Sequence, residues 1–100
     1  MLMNWIFEII DKSGRKIHLS SERWSHINLE HPEVAPYFEE IKETLRKPTK
    51  ITIFSHDKDI RYYYSYIKSR DSPEKYLLAI VKYLNGEGFI ITSYFVKNIK

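Results

Sequence analysis

Four histidines, eight tyrosines and sixteen lysines and arginines, with no cysteine, are the material this chain offers for chemistry. The missing thiols exclude a thiolate nucleophile, a cysteine-bound metal and any disulfide. His26 and His31 are five residues apart, about 140° around a helix, and cannot chelate one ion unless the helix breaks at Pro32. His18 stands alone, and His56 shares a polar loop with Asp57 and Asp59. None of this resembles the His-x₃-His spacing of helical zinc sites, so neither a metal nor another cofactor is expected. No nucleophile elbow occurs, and the three glycines lie at turns rather than in a phosphate-cradling loop.

What remains is a set of Lys, Arg, His and Tyr side chains around one apolar stretch. That stretch is YLLAIVKYL, a break NGEG, then FIITSYFV, covering Tyr76 to Val96, and Lys82 is the only charge inside its strands. Arg61, Tyr62 and Tyr63 open the preceding strand, and Thr92, Ser93 and Tyr94 lie on the last one. Metal-free RNA cleavage needs residues of these kinds. The 2′-hydroxyl must lose a proton, the phosphate must be neutralised as charge builds, and the leaving 5′-oxygen must gain a proton. Tyrosine can also stack on an unpaired base. Each residue also has a plain structural reading: Arg61 as a rim charge, His31 packed beside Trp24, Lys82 snorkelling to an edge.

The elements that must position them follow from periodicity and punctuation. Trp5 to Ile10 and Arg15 to Leu19 read as a hairpin around the turn residues Asp11 to Gly14. Ser20 is a good N-cap for a helix to about Glu30, and Pro32 stops it. A second helix is expected from Glu33 to Arg46, with Val34, Phe38, Ile41 and Leu45 as its apolar stripe. Lys50–Phe54, Ile60–Ile67 and the two arms of the opening stretch then make four strands joined by short loops, hence antiparallel. The expected fold is a two-layer α+β domain: two N-terminal strands, two helices and an antiparallel four-stranded sheet. A three-residue loop, Gly86 to Gly88, would pair Lys82 with Thr92 and Ile80 with Tyr94, Gly88 being the left-handed bulge residue. Loops of two or four residues are read as pairing Lys82 with Ile91.

One hundred residues with 43% hydrophobic content make one globular domain, residues 1–100. Lys82 and the glycine turn interrupt the only stretch near membrane-spanning length. The apolar N-terminus lacks a basic leader and contains Glu8, so no signal peptide is expected and a cytoplasmic location follows. Residues 60–100 hold seven Lys/Arg against three Asp/Glu, while residues 1–59 hold nine against ten. The basic excess on the sheet half suits a polyanion.

RWSHI, EHPEV, IKETLRKP, RYYY and LLAIVKYL-NGEGFIITSY, in that order, resemble the phage-associated branch of the Barnase–EndoU–colicin–RelE-like nuclease superfamily. The resemblance runs from about Ser20 to Val96 and leaves the first hairpin outside it, as an added edge pair. It implies a metal-independent ribonuclease or related toxin. Carried over by position, it implies His26 or His31 as acid or base, Arg61 on phosphate, Lys82 on the transition state, and Thr92 and Tyr94 completing the site. Tyr62, Tyr63 and Lys75 are the expected RNA contacts. The leading expectation is therefore an endoribonuclease, toxin-like or from a mobile element, acting on RNA such as tRNA or mRNA and held by an antitoxin. The alternatives are a non-catalytic RNA-binding module and a protein-interaction domain. Convergence of His26 or His31, Arg61 and Lys82 in one cleft is the condition set for the enzyme.

Overall fold

A computed structural model describes residues 5–100. The first four residues of the apolar N-terminal segment, weighed above as a leader, lie outside the described residues. The elements run β1 (Trp5–Ile10), β2 (Lys16–Ser20), α1 (Ser21–Glu30), a 3₁₀ segment (Pro32–Tyr37), α2 (Phe38–Arg46), β3 (Lys50–Ile53), β4 (Ile60–Tyr66), β5 (Tyr76–Leu84) and β6 (Glu87–Val96). The expected order of strands and helices holds. The sheet differs: all six strands form one mixed sheet, ordered β1-β2-β6-β5-β4-β3. The N-terminal hairpin forms one edge of this sheet, joined to it by β2, which runs parallel to β6 through Ile17–Gly88 and His18–Phe89. A parallel pair needs a long crossover, and the two helices with β3, β4 and β5 supply it.

Ser20 caps α1 as expected, its hydroxyl accepting from the Arg23 amide at 3.1 Å. The second helix starts later than its apolar stripe suggested. Pro36 has no amide hydrogen to donate and crowds the residue four before it, so Pro32–Tyr37 takes the tighter 3₁₀ form and α2 begins at Phe38. The stripe itself is correct: Val34, Ile41 and Leu45 are buried with Ile27 against Ile17, Leu19, Leu77 and Val81.

The central hairpin corrects the expected register. Its loop is Asn85-Gly86, both left-handed (φ 54° and 82°), with Leu84 opposite Glu87. Asn-Gly is the residue pair this two-residue turn favours, and Gly88 has no left-handed role. Lys82 pairs with Phe89, not with Thr92 or Ile91. One extra residue, Ile91, then bulges between the pairs Val81–Ile90 and Ile80–Thr92. Strand side chains alternate faces with a period of two. An unbroken ladder would therefore turn Thr92 and Tyr94 toward the helices; the bulge returns them to the face of Lys82. The shared face was expected, but a bulge and not a three-residue loop produces it.

Pairing now sorts the side chains. Arg61, Tyr63, Val81, Tyr83 and Ile90 face the helices, whereas Tyr62, Tyr64, Leu78, Ile80, Lys82, Phe89, Thr92 and Tyr94 share the outer face. The chain after β6 returns over that outer face, with the Lys100 amide 3.4 Å from the Tyr64 hydroxyl.

Candidate nucleic-acid interface

On the outer face three cross-strand rows follow from the pairing: Ile60–Lys82–Phe89, Tyr62–Ile80–Thr92 and Tyr64–Leu78–Tyr94. Two residues along a strand separate successive rows, about 7 Å. In the first row the Lys82 ammonium donates to Asp57 Oδ2, from the loop between β3 and β4. This hydrogen bond, more than the backbone amide of Asp59 on the same carboxylate, holds the Asp57 carboxyl below its usual range. In the middle row the Thr92 hydroxyl is buried without a partner. In the third row the His31 ring stacks on Tyr94 with centroids 4.8 Å apart. Burial pushes the Tyr94 phenol up, and Tyr62 and Tyr64 add to the shift, so near neutrality this hydroxyl is a proton donor.

Beside the rows, Phe54 and Tyr62 stack almost parallel, at 6° with centroids 5.9 Å apart. They line a cavity of about 280 Å³ with Thr52, Ser55 and Lys100. In the sequence Phe54 only ends the alternating run Lys50–Phe54, and nothing in that run marks it as a partner for Tyr62. At the other edge of the first row lies His18, 5% exposed, between the rings of Trp5 and Phe89 at 4.6 and 5.0 Å. Its Nε2 is 2.6 Å from Glu87 Oε1. Its Nδ1 is 3.0 Å from Glu8 Oε2 but out of line for a hydrogen bond. The carboxylates sit at opposite ring nitrogens and cannot share an ion, and no metal-holding group of three such side chains occurs among the described residues.

The expected site residues therefore divide. Lys82, Thr92, Tyr94, Tyr62 and His31 come to the outer face. Arg61 does not: its neighbour across the ladder is Val81, and its guanidinium lies over the helix-side ring of Tyr83. Tyr63 is fully buried on the same side. His26 is exposed on α1, and no aromatic or polar contact joins it to the outer face. Lys75 donates to the backbone carbonyls of Arg70 and Lys68, closing the loop at the far end of β4 and β5. The convergence set as the condition for the enzyme is not met: His31 and Lys82 share the outer face but lie two rows apart, and Arg61 lies on the opposite face.

A buried polar group was missed. Asp11, read as turn chemistry, is 5% exposed beneath the helices. Its Oδ1 accepts from the Ser13 amide and hydroxyl and the Arg15 amide at 3.0, 2.7 and 2.9 Å. Its Oδ2 accepts from Tyr63 and, at 3.0 Å, from Tyr83. Burial alone would raise the Asp11 carboxyl, but these donors outweigh it and hold it below its ordinary value. The same burial, with Asp11 beside them, pushes both phenols up.

Residues 7–100 match the family described as phage-Barnase-EndoU-ColicinE5/D-RelE like nuclease2. The chain belongs to this family. The match begins within β1, so the N-terminal hairpin is part of the family's domain rather than an addition to it. Membership in this nuclease family implies a nucleic acid as the substrate. No curated protein and no solved structure matches the chain. No helix among the described residues is long and apolar enough to cross a membrane.

Proposed function

We propose that the outer face binds single-stranded RNA and cleaves it by transesterification without a metal ion. The observation that carries this reading is the gathering of Lys82, Thr92, Tyr94 and His31 on one face beside the Phe54–Tyr62 stack. A phosphate seated over Thr92 has Lys82 one row away on one side and Tyr94 with His31 one row away on the other, each about 7 Å along the strands. Lys82 then neutralises the phosphate as charge builds. His31 takes the proton of the attacking 2′-oxygen, and Tyr94 donates one to the departing 5′-oxygen. The products are a 2′,3′-cyclic phosphate and a free 5′-hydroxyl. A neighbouring base stacks on Tyr62. In this reading the chain acts in the cytoplasm on tRNA or mRNA, and an antitoxin restrains it by covering the outer face.

A second reading, RNA binding without turnover, is favoured by two observations. Lys82 is already engaged by Asp57, and Arg61 lies on the opposite face. One experiment separates the two: incubation with RNA in excess chelator, using the wild type, Lys82→Ala, His31→Ala and the exposed control His26→Ala. Cleavage lost in the first two variants and kept in the third supports the enzyme. Salt-dependent binding with no cleavage supports the second reading. Cleavage unaffected by Lys82→Ala and His31→Ala sinks the site assignment, and cleavage abolished by chelator sinks the metal-free mechanism.

A further inference from the structure

Arg61 finds no use on the outer face, and its surroundings on the helix side are unusual for an arginine. Its Cζ lies 5.1 Å from the centre of the Tyr83 ring, and that of Arg15 lies 4.8 Å from the same centre. The two guanidinium carbons are thus within about 10 Å of each other. Two cations held together ordinarily have carboxylates between them. Here, among the described residues, no carboxylate oxygen lies within 4.0 Å of either guanidinium. Asp11, beside the same Tyr83, already accepts from five donors and has no capacity left for them. The Nε of Arg61 is buried and unpartnered. A buried charged donor without an acceptor is costly, and an occupant that supplied acceptors would remove the cost.

We propose that Arg15 and Arg61, braced on Tyr83, form a second phosphate-binding site on the helix side of the sheet. Arginine's planar fork matches a phosphate's paired oxygens, and stacking on the buried ring fixes both guanidiniums before the ligand arrives. The surroundings carry both signs: the Asp11 carboxylate accepts from the Tyr83 hydroxyl, and Arg46 is paired with Glu43 at 3.1 Å, while Lys47 adds a further cation. The Lys12 amide donates to the Leu45 carbonyl at 3.1 Å, which sets the β1–β2 turn against the end of α2, next to Arg46 and Lys47. The inference does not depend on the outer face cleaving RNA. The phosphate is either a free anion or one group of a nucleic-acid backbone that passes round the end of the sheet.

The test is NMR of the arginine Nε–H groups during titration with inorganic phosphate and, separately, with a short single-stranded oligoribonucleotide. Wild type, Arg15→Gln, Arg61→Gln and Arg61→Lys are compared, each checked for folding by thermal melt. Arg61→Lys keeps a cation over Tyr83 if the Gln variant does not fold. Phosphate is expected to shift both Nε–H signals saturably, and any of the variants to weaken it about tenfold or more. His26→Ala, exposed on α1, leaves phosphate binding unchanged. If the oligonucleotide shifts the same signals, and Arg61→Gln lowers the slope of log affinity against log salt by about 1, the phosphate belongs to a backbone. If only inorganic phosphate does so, the site takes a free anion. Absence of any shift at either arginine, or equal phosphate affinity in the variants, overturns the proposal whatever the outcome of the cleavage assay.

Discussion

Gly88→Ala tests the junction on which the mixed sheet depends. A methyl group at this position would lie under 3.0 Å from both Ile17 Cδ1 and Val81 Cγ1, and 3.1 Å from Tyr83 Cε1. Ile17 and Val81 are fully buried, so neither can swing into open space. Overpacking of this kind costs about 1–3 kcal/mol, and three simultaneous contacts put the change in the upper half, about 2–3 kcal/mol. For a domain of this size each kcal/mol shifts Tm by about 4–8 °C, so a fall of roughly 10–20 °C is expected. Gly86→Ala is the comparison: it meets no atom within 4 Å but sits at φ +82°, and a left-handed alanine costs only about 1–2 kcal/mol. A partner substitution sharpens the test. Ile17→Val removes the Cδ1 and alone costs about 0.5–1.5 kcal/mol, yet in the Gly88→Ala background it should restore stability, a coupling that independent sites do not show. Thermal and urea melts of the five proteins suffice. A Gly88→Ala protein melting within about 2 °C of wild type, or no recovery with Ile17→Val, would refute the close approach of β2 to β6.

Asp11→Asn should flatten the acid limb of the stability curve. Because the folded Asp11 carboxyl lies below its ordinary value, its contribution is complete above about pH 4 and is lost as pH falls toward the folded value. Urea midpoints between pH 2 and 6 will show a steeper loss in wild type than in the variant. Asp57→Asn frees Lys82 from its carboxylate partner and should strengthen RNA binding, with a salt slope steeper by about one phosphate contact; fluorescence anisotropy over a salt series reads both. Tyr62→Ala breaks the stack with Phe54 and should cost about 1–3 kcal/mol of single-stranded RNA affinity with little change in salt slope. Deleting Ile91 removes the bulge and should turn Thr92 and Tyr94 into the core, so that the protein fails to fold or loses RNA binding.

Much of the fold was legible because local rules decided it. Ser20 and Pro32 bounded α1, Val34 to Leu45 gave the buried stripe, and β-branched runs gave the strands. The misreadings each had a physical cause. Asn85-Gly86 was a readable turn signal, overlooked in favour of Gly88, whereas the Ile91 bulge leaves no mark in a run as uniformly apolar as FII. The parallel contact of Ile17 with Gly88 joins residues far apart in sequence and has no local signature. The face of Arg61 was hidden because IRYYYSY carries aromatic rings on both sides, so alternation could not say which side meets the helices. Asp11 belonged to a good turn motif, and nothing nearby in the sequence told that Tyr63 and Tyr83 would close over it. His18 meets Glu87 across 69 positions, beyond the reach of any spacing argument.

The place of β6 in the sheet also bears on synthesis. It is the last of these six strands to be made, and it lies between the N-terminal hairpin and the β5-β4-β3 group. Until it emerges, the nascent chain holds two fragments with bare hydrogen-bonding edges, the condition that invites wrong pairing. Closing the seam joins residues near opposite ends of the chain, a step that long loop closure makes late and slow. The outer face, which draws Phe89, Thr92 and Tyr94 from this strand, is assembled at the same moment. A chain that stops before β6 thus has no Phe89, Thr92 or Tyr94 to complete that face.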